Sequence, residues 1–392
     1  MRLISFLGTG NYGETVYTFE GQTCRTCFVA NALATFTQPK EIRLIATTEA
    51  KSQHENCLRK SLADSSQPNP EFVQVPTGGE SQQLWQMFGA IVDVIRTSDD
   101  EVLLDITHGF RMQSFFAAAC IQYVQAVLPH SPKIRVVYGE YRGPEQESPI
   151  WELTPFLDVL SWSRGLMMFL QTGQSDAVVE PTKRLASDLS KQWATSNRQG
   201  RQPQLGTLAQ ALSDFGEDFT TIRTGKLVIG NQSSSQRLWE AIERTRDEVV
   251  QRLPALALVL DQVQTKVDPL RTGDARLSST DGQRVLLALA RLYQKMGRFS
   301  EAISVLREGW STSNAPSNCD QPGTDDFDDD QRKQWDNKWA YRDGYPDPTT
   351  DVRNDIQHAG FRKRPNRPTW FKSRLEDLLN KWETDINAME TD

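Results

Sequence analysis

The first 140 residues alternate between two kinds of segment, and that alternation constrains the fold more than any other feature. The short apolar runs "RLISFLG", "EIRLIATT", "FVQVP", "EVLLDIT" and "IRVVYGEY" are rich in Val, Ile and Leu, and turn residues bound several of them. Such runs read as strands buried on both faces. Between them lie segments with helical spacing, at residues 24–36, 50–64, 81–97 and 112–128. Strands alternating with helices predict βαβ units and an α/β domain built on a Rossmann-like parallel sheet. The Gly/Pro/Glu-rich stretch "YRGPEQESP" follows the last strand and reads as a domain boundary.

Beyond about residue 155 the strand signal nearly vanishes. "FLDVLSWSRGLMMFLQTG", "SQRLWEAIERTRDEVVQRLPALALVLDQV", "GQRVLLALARLYQKMG" and "SEAISVLREGW" space their apolar residues near the helical period. The last two, separated by "GRF", predict an antiparallel helical hairpin with the flavour of a tetratricopeptide unit, but without the fixed-period repeat of an array. The expected organisation is therefore an α/β domain over 1–152 and an all-α helical bundle over 153–392. The acidic run "DDFDDD" (325–330) marks a solvated loop at roughly 312–350. Residues 155–280 form a long helical stretch with room for an inserted helical or winged-helix-like module.

Composition excludes several classes. With 392 residues, 38% hydrophobic and 24% charged, the chain has ordinary soluble character and material for two cores. No apolar stretch approaches the roughly 20 residues needed to cross a bilayer, and nothing at the N-terminus reads as a signal peptide. A cytoplasmic protein with no membrane partner is the expectation. Five cysteines, an odd number, argue against a disulfide framework. Cys24 and Cys27 form a lone C-x-x-C on an expected helix, and Cys57, Cys120 and Cys319 supply no second ligand pair. The pair reads as small buried groups, and no metal is expected. A net charge of −7 does not announce a nucleic-acid binder. Locally the sign reverses: "RKRPNRPTWFKSR" (362–374) holds six basic residues, two aromatics and no acidic group.

Gly8-Thr9-Gly10-Asn11-Tyr12-Gly13 has the G-x-G-x-x-G spacing of a dinucleotide fingerprint. In that fold the third glycine opens a helix. Here Gly13 is followed by "ETVYTFEGQ", an alternating pattern that reads as a strand or hairpin, with helix expected only from Thr23 or Cys24. The NAD reading loses its context. What survives is a Gly-rich loop at the C-terminal end of a first parallel strand, where backbone N–H groups meet anions and open sheets bind ligands. A second loop, Thr107-His108-Gly109-Phe110-Arg111, follows "EVLLDIT", and a third, Thr77-Gly78-Gly79-Glu80, follows "FVQVP". Three such loops at one edge point to a phosphate-rich or nucleotide ligand. His108 has the chemistry of a general base, but beside Arg111 it reads more simply as a ligand contact or a capping residue.

"TTDVRNDIQHAG" (349–360) carries the sharper chemistry. Thr350 or Asp351 is the expected N-cap after "YPDP", and Gly360 suits the helix end. Arg353 and His358 stand five positions apart, about 140° around an ideal helix. A two-fold dimer resolves this, because two facing helices surround one cleft with both residue types. Such residues suit RNA cleavage without metal: the ribose 2′-OH attacks its own phosphodiester, histidine moves a proton and arginine holds the developing charge. Arg362, Lys363, Arg364 and Arg367 offer phosphate contacts, and Trp370 and Phe371 offer stacking faces for a single strand.

These residues carry a resemblance. The N-terminal half is similar to the CARF domain (CRISPR-associated Rossmann fold) in "FLGTGNY" and "LDITHGFR". The C-terminal half resembles a HEPN ribonuclease domain in "RNDIQHAG", an R-N-x-x-x-H followed by small residues, and in "YQKMGRFSEAISVLREG". In this order the two resemble the ancillary ribonucleases of type III CRISPR systems. The resemblance implies a cyclic oligoadenylate bound across a CARF dimer by Gly8, Thr9, Gly10, Asn11 and Tyr12, with Thr107, His108, Gly109 and Arg111. It implies that binding switches on a HEPN dimer in which Arg353 and His358 are catalytic and Asn354 supports them. The implied substrate is single-stranded RNA, the assembly a homodimer or an oligomer of dimers, and no cofactor is required beyond the allosteric activator. Two alternatives remain open. One is a CARF-type transcriptional regulator, against which the charge-balanced "RLWEAIERTRDEVVQRL" counts; the other is a CARF half that cleaves its own messenger, with His108 as candidate.

Overall fold

The computed structural model describes residues 1–98, 101–128, 131–144, 146–252, 254–339, 349–358, 361 and 364–389. It separates into two compact units, Met1–Leu160 and Ser161–Asp392.

The first strand shows why the first unit is layered. In β1 (Arg2–Leu7), Leu3 and Leu7 enter one apolar core while Ile4 and Phe6 enter another. A strand apolar on both faces needs cover on both sides. The other strands are β2 (Thr15–Phe19), β3 (Gln22–Thr26), β4 (Glu41–Ala46), β5 (Glu71–Gln74), β6 (Val102–Asp105), β7 (Ile134–Gly139) and β8 (Glu147–Glu152). They form one sheet in the order β3-β2-β8-β7-β6-β1-β4-β5. Helices α1 (Val29–Thr37) and α2 (Thr48–Asp64) cover one face. Helices α3 (Ser81–Arg96) and α4 (Arg111–Val127) cover the other.

Strands β5, β4, β1, β6 and β7 run parallel, as their richness in Val, Ile and Leu predicts. The rest of the sheet departs from that expectation. β8 is antiparallel to β7, and β2 pairs parallel with β8 and antiparallel with β3. "YRGPEQESP" thus runs on into β8, and the sheet continues past it. The hairpin turns at Glu20 and Gly21, both with positive φ (49° and 80°), as a two-residue turn between twisted strands requires. It occupies the place of the expected helix start, so α1 begins at Val29 and Cys24 lies on β3 opposite Tyr17. Cys24 and Cys27 are free thiols packed, half-buried, against the core.

Helix α5 (Thr154–Thr172) spans the division between the units. The second unit continues with α6 (Asp176–Thr195), α7 (Leu205–Thr220), α8 (Thr224–Val228), α9 (Ser234–Arg252), α10 (Pro254–Val267), α11 (Thr280–Lys295), α12 (Phe299–Thr312), α13 (Asp329–Trp339), α14 (Thr350–Gln357) and α15 (Pro368–Ala388). Among its described residues there is no strand, so 155–280 is helical and not winged. Helix α7 packs on α6 and α9; α11 pairs with α12, and α14 and α15 close on that hairpin. Trp382 of α15 is buried there, its Nε1 donating to Gln283 Oε1 at 2.9 Å.

The acidic segment is not the open loop its composition suggests. Asp329 and Asp330 form the first turn of α13, where carboxylates meet the positive end of the helix dipole. Arg332 of the same helix is buried and donates to Glu308 Oε2 at 2.8 Å and Thr312 Oγ1 at 2.9 Å, which ties the segment to α12. Among the described residues no helix is long and apolar enough to cross a membrane.

Candidate functional site

The parallel strands end on one edge, and the loops leaving β1 and β6 meet there. The Gly8 N–H donates to Tyr12 Oη at 2.9 Å, and that hydroxyl donates to the Gly8 carbonyl at 2.8 Å. The glycine loop is thereby closed by a phenol. A Cβ at Gly8 would stand 2.6 Å from the His108 carbonyl oxygen, so glycine is what lets the two loops approach. The Tyr12 ring packs on the His108 imidazole at 3.9 Å between centroids and on His54 of α2 at 4.7 Å. Phe28 meets Tyr12 edge-on at 5.8 Å. Thr9, Gly10 and Asn11 form the exposed rim, with Asn11 Oδ1 accepting from Gln53 Nε2 at 3.4 Å.

A buried carboxylate builds the β6 loop. Asp105 Oδ2 accepts from Ser5 Oγ at 2.6 Å, and Oδ1 accepts from the Thr107 N–H at 2.9 Å and from the Thr107 hydroxyl. Thr107 Oγ1 also accepts from the Gly139 N–H at 2.7 Å, so this hydroxyl is engaged within the fold, joining the loop to β7. Gly109 lies against Phe6 and Gln113, and the Phe110 N–H donates to Gln113 Oε1 at 2.9 Å. The third loop turns at Gly78 (φ 86°); the N–H groups of Gly78 and Gly79 both donate to Gln83 Oε1 at 3.1 Å. A Cβ at Gly78 would come within 2.8 Å of Met112 Cε, which places this turn beside the first turn of α4. Arg111 is the first residue of α4, and its side chain lies outside the described residues.

Burial drives the His108 imidazole down to about 4, and the neighbouring His54 adds to the effect. Burial lowers His54 as well, against an opposing Gly10 backbone contact, and its Nε2 is buried without a hydrogen-bond partner. Burial raises Asp105, with the Ser5 and Thr107 hydrogen bonds pulling the other way. At neutral pH the cluster thus presents two neutral imidazoles, a phenol and backbone amides. That set suits a flat ring and hydrogen-bond acceptors more than proton transfer.

Sequence reasoning missed His54, Phe28 and Asp105. Signals for two of them exist. Ala50, His54, Leu58 and Leu62 recur at four-residue spacing and are all buried, so a histidine stands in the apolar stripe of α2. Asp105 is a carboxylate ending the apolar strand "VLLD".

Arg353 and Asn354 lie half-buried on α14, and His358 caps its C-terminus, exposed. Thr349 takes the N-cap position in place of Thr350 or Asp351, without a side-chain capping bond to the first turn. Arg353 Nη2 is 3.4 Å from Asn354 Oδ1, and its Nε is buried without a partner. The buried Asp355 accepts from the Asn366 N–H at 3.3 Å and Nδ2 at 2.9 Å, which ties α14 to the segment that leads into α15. Arg364 and Arg367 on that segment are exposed, while Gly360, Arg362 and Lys363 lie outside the described residues. Among the described residues no group of three or more His, Cys, Asp or Glu has the arrangement of a metal site.

Residues 2–141 match the family model described as the CARF domain of the CRISPR system endoribonuclease Csx1. The first unit resembles a CARF domain. The matched span takes in all three loops of this CARF-like unit and stops before β8 and the helical unit. The CRISPR-associated protein MJ1674 of Methanocaldococcus jannaschii is 25% identical over 103 residues, which cover 25% of this chain and 16% of that protein.

Proposed function

We propose that the chain is an endoribonuclease of CRISPR defence that cleaves single-stranded RNA when a cyclic oligoadenylate binds its CARF-like unit. The observation that carries this reading is the CARF match over the unit whose strand-end loops gather Gly8, Tyr12 and His108. Gly8, Thr9, Gly10, Asn11 and Tyr12, with Gly78, Thr107, His108, Gly109 and Arg111, form the ligand site in this reading. A ring of even size has a two-fold axis, so two copies of the chain offer identical loops to its halves. Trp85 on α3 and Phe115 on α4 are 72% and 76% exposed, and such apolar surface supports self-association.

The helical unit supplies the chemistry through Arg353, Asn354 and His358. The ribose 2′-oxygen attacks the adjacent phosphorus; a 2′-O–P bond forms as the P–O5′ bond breaks, leaving a cyclic phosphate and a free 5′-hydroxyl. His358 moves the proton between these oxygens, and Arg353 stabilises the charge on the phosphoryl group. Asn354, within reach of the Arg353 guanidinium, orients it. Because the nucleophile belongs to the substrate, no metal is needed to generate one, and no cofactor takes part. Arg362, Lys363, Arg364 and Arg367 hold the strand by its phosphates.

The test is cleavage of a fluorescent single-stranded RNA in EDTA, with and without cyclic tetra- or hexa-adenylate. Cleavage that requires a cyclic oligoadenylate and is lost in Arg353→Ala and His358→Ala is expected. Equal cleavage by both variants, or none with either ring, overturns the reading.

A further inference from the structure

Tyr12 occupies at once the two features that a nucleotide would use at this sheet edge. Its hydroxyl engages both backbone polar groups of Gly8, including the N–H at the end of β1 where an anion would be received. Its ring covers two neutral imidazoles, His108 at 3.9 Å and His54 at 4.7 Å, a surface on which a nucleobase stacks as readily as a phenol. His54 Nε2, buried beside that ring without a partner, is a hydrogen-bonding group that the phenol does not serve. The side chain sits between two exposed glycines, Gly10 and Gly13. A Cβ at Gly10 would lie 3.2 Å from Tyr12 Cε1, and one at Gly13 would lie 2.5 Å from Tyr141 Oη. Glycine at position 10 lets the ring lie close against the loop backbone, and glycine at position 13 makes room for the Tyr141 hydroxyl.

We propose that Tyr12 is a self-blocking latch. A ligand base takes the place of the ring against His54 and His108, a ligand phosphate takes the Gly8 N–H, and the phenol swings outward. The inference rests on the cyclic-oligoadenylate reading above and adds a barrier that the chain carries within itself. A neutral hydrogen bond is worth about a factor of five in an equilibrium constant. A latch held by two of them leaves the receptive arrangement a minor population and weakens apparent affinity by that fraction.

The experiment compares the full chain with its Tyr12→Phe variant, which keeps the ring and removes both bonds to Gly8. Surface plasmon resonance on cyclic tetra- and hexa-adenylate gives Kd and both rate constants. A latch predicts that the variant binds roughly five- to thirty-fold tighter, with the gain in the association rate. Tyr12→Leu, which removes the ring as well, provides a second test should the Phe variant fold poorly, and it too is expected to associate faster. If the unaltered chain binds and both variants bind equally or more weakly, Tyr12 is an ordinary ligand contact; the latch is overturned while the sensor reading stands. If neither ring binds any of the three proteins, the sensor reading and the latch fall together.

Discussion

Gly8 and His108 lie so close that a Cβ at position 8 would stand 2.6 Å from the His108 carbonyl oxygen. The obstructing atom is backbone, so relief requires the β1 and β6 loops to separate. Gly8→Ala is therefore expected to destabilise the CARF-like unit by about 1–3 kcal/mol. Ligand binding should weaken at the same time, because the β1 and β6 loops that hold the ligand in this reading move apart. A urea melt and a binding titration check both effects, and an unchanged melt would refute the contact.

Asp105 gathers three donors, two of them from Thr107, in a place without solvent. Asp105→Ala strands the Ser5 and Thr107 donors and releases Thr107 from β7. A loss of about 2–4 kcal/mol is expected from the orphaned groups together with the cavity. Denaturant unfolding measures it, and a loss below about 0.5 kcal/mol would contradict the assigned bonds.

Acid should weaken the CARF-like unit through His108. Its imidazole titrates near 4 in the fold against 6.5 for the free group. Between those values the unfolded chain binds more protons, so this contribution is complete above about pH 6.5 and is lost as pH falls toward 4. His54, also lowered, acts in the same sense. Asp105 is raised, so its effect has the opposite sign: the fold favours the protonated form, and stability from it declines as pH rises. His108→Asn should flatten the pH dependence of the urea midpoint between about pH 4 and 6.5, by an amount approaching one proton. An unchanged slope would mean that His108 titrates normally.

Asp355 reaches across to Asn366 and anchors the segment bearing Arg364 and Arg367. If those arginines hold RNA, Asp355→Ala should raise KM for RNA several-fold while kcat changes less. Stability should fall by about 1–3 kcal/mol from the unpaired Asn366 amide. A loss of kcat at unchanged KM would instead place Asp355 in the chemistry.

Local pattern made much of this legible from residue order. Strands β1, β4, β5, β6 and β7, the helices between them and the helical second half follow from apolar spacing, which neighbouring residues set by themselves. The loops at Gly8 and Thr107 were visible for the same reason, since turn chemistry is local. Missed were the features that join distant segments: β8 closing on β7 and on β2, the buried Arg332 drawing an acidic run into a helix, and Ser5 meeting Asp105 a hundred residues away. His54 belongs with these. On its own helix it is one position in an apolar stripe, and only the folding of α2 beside the β1 loop brings it against Tyr12. Periodicity specifies which face of an element is buried; what that face meets depends on chain that is remote in sequence, and here that meeting decides what "GTGNYG" can hold.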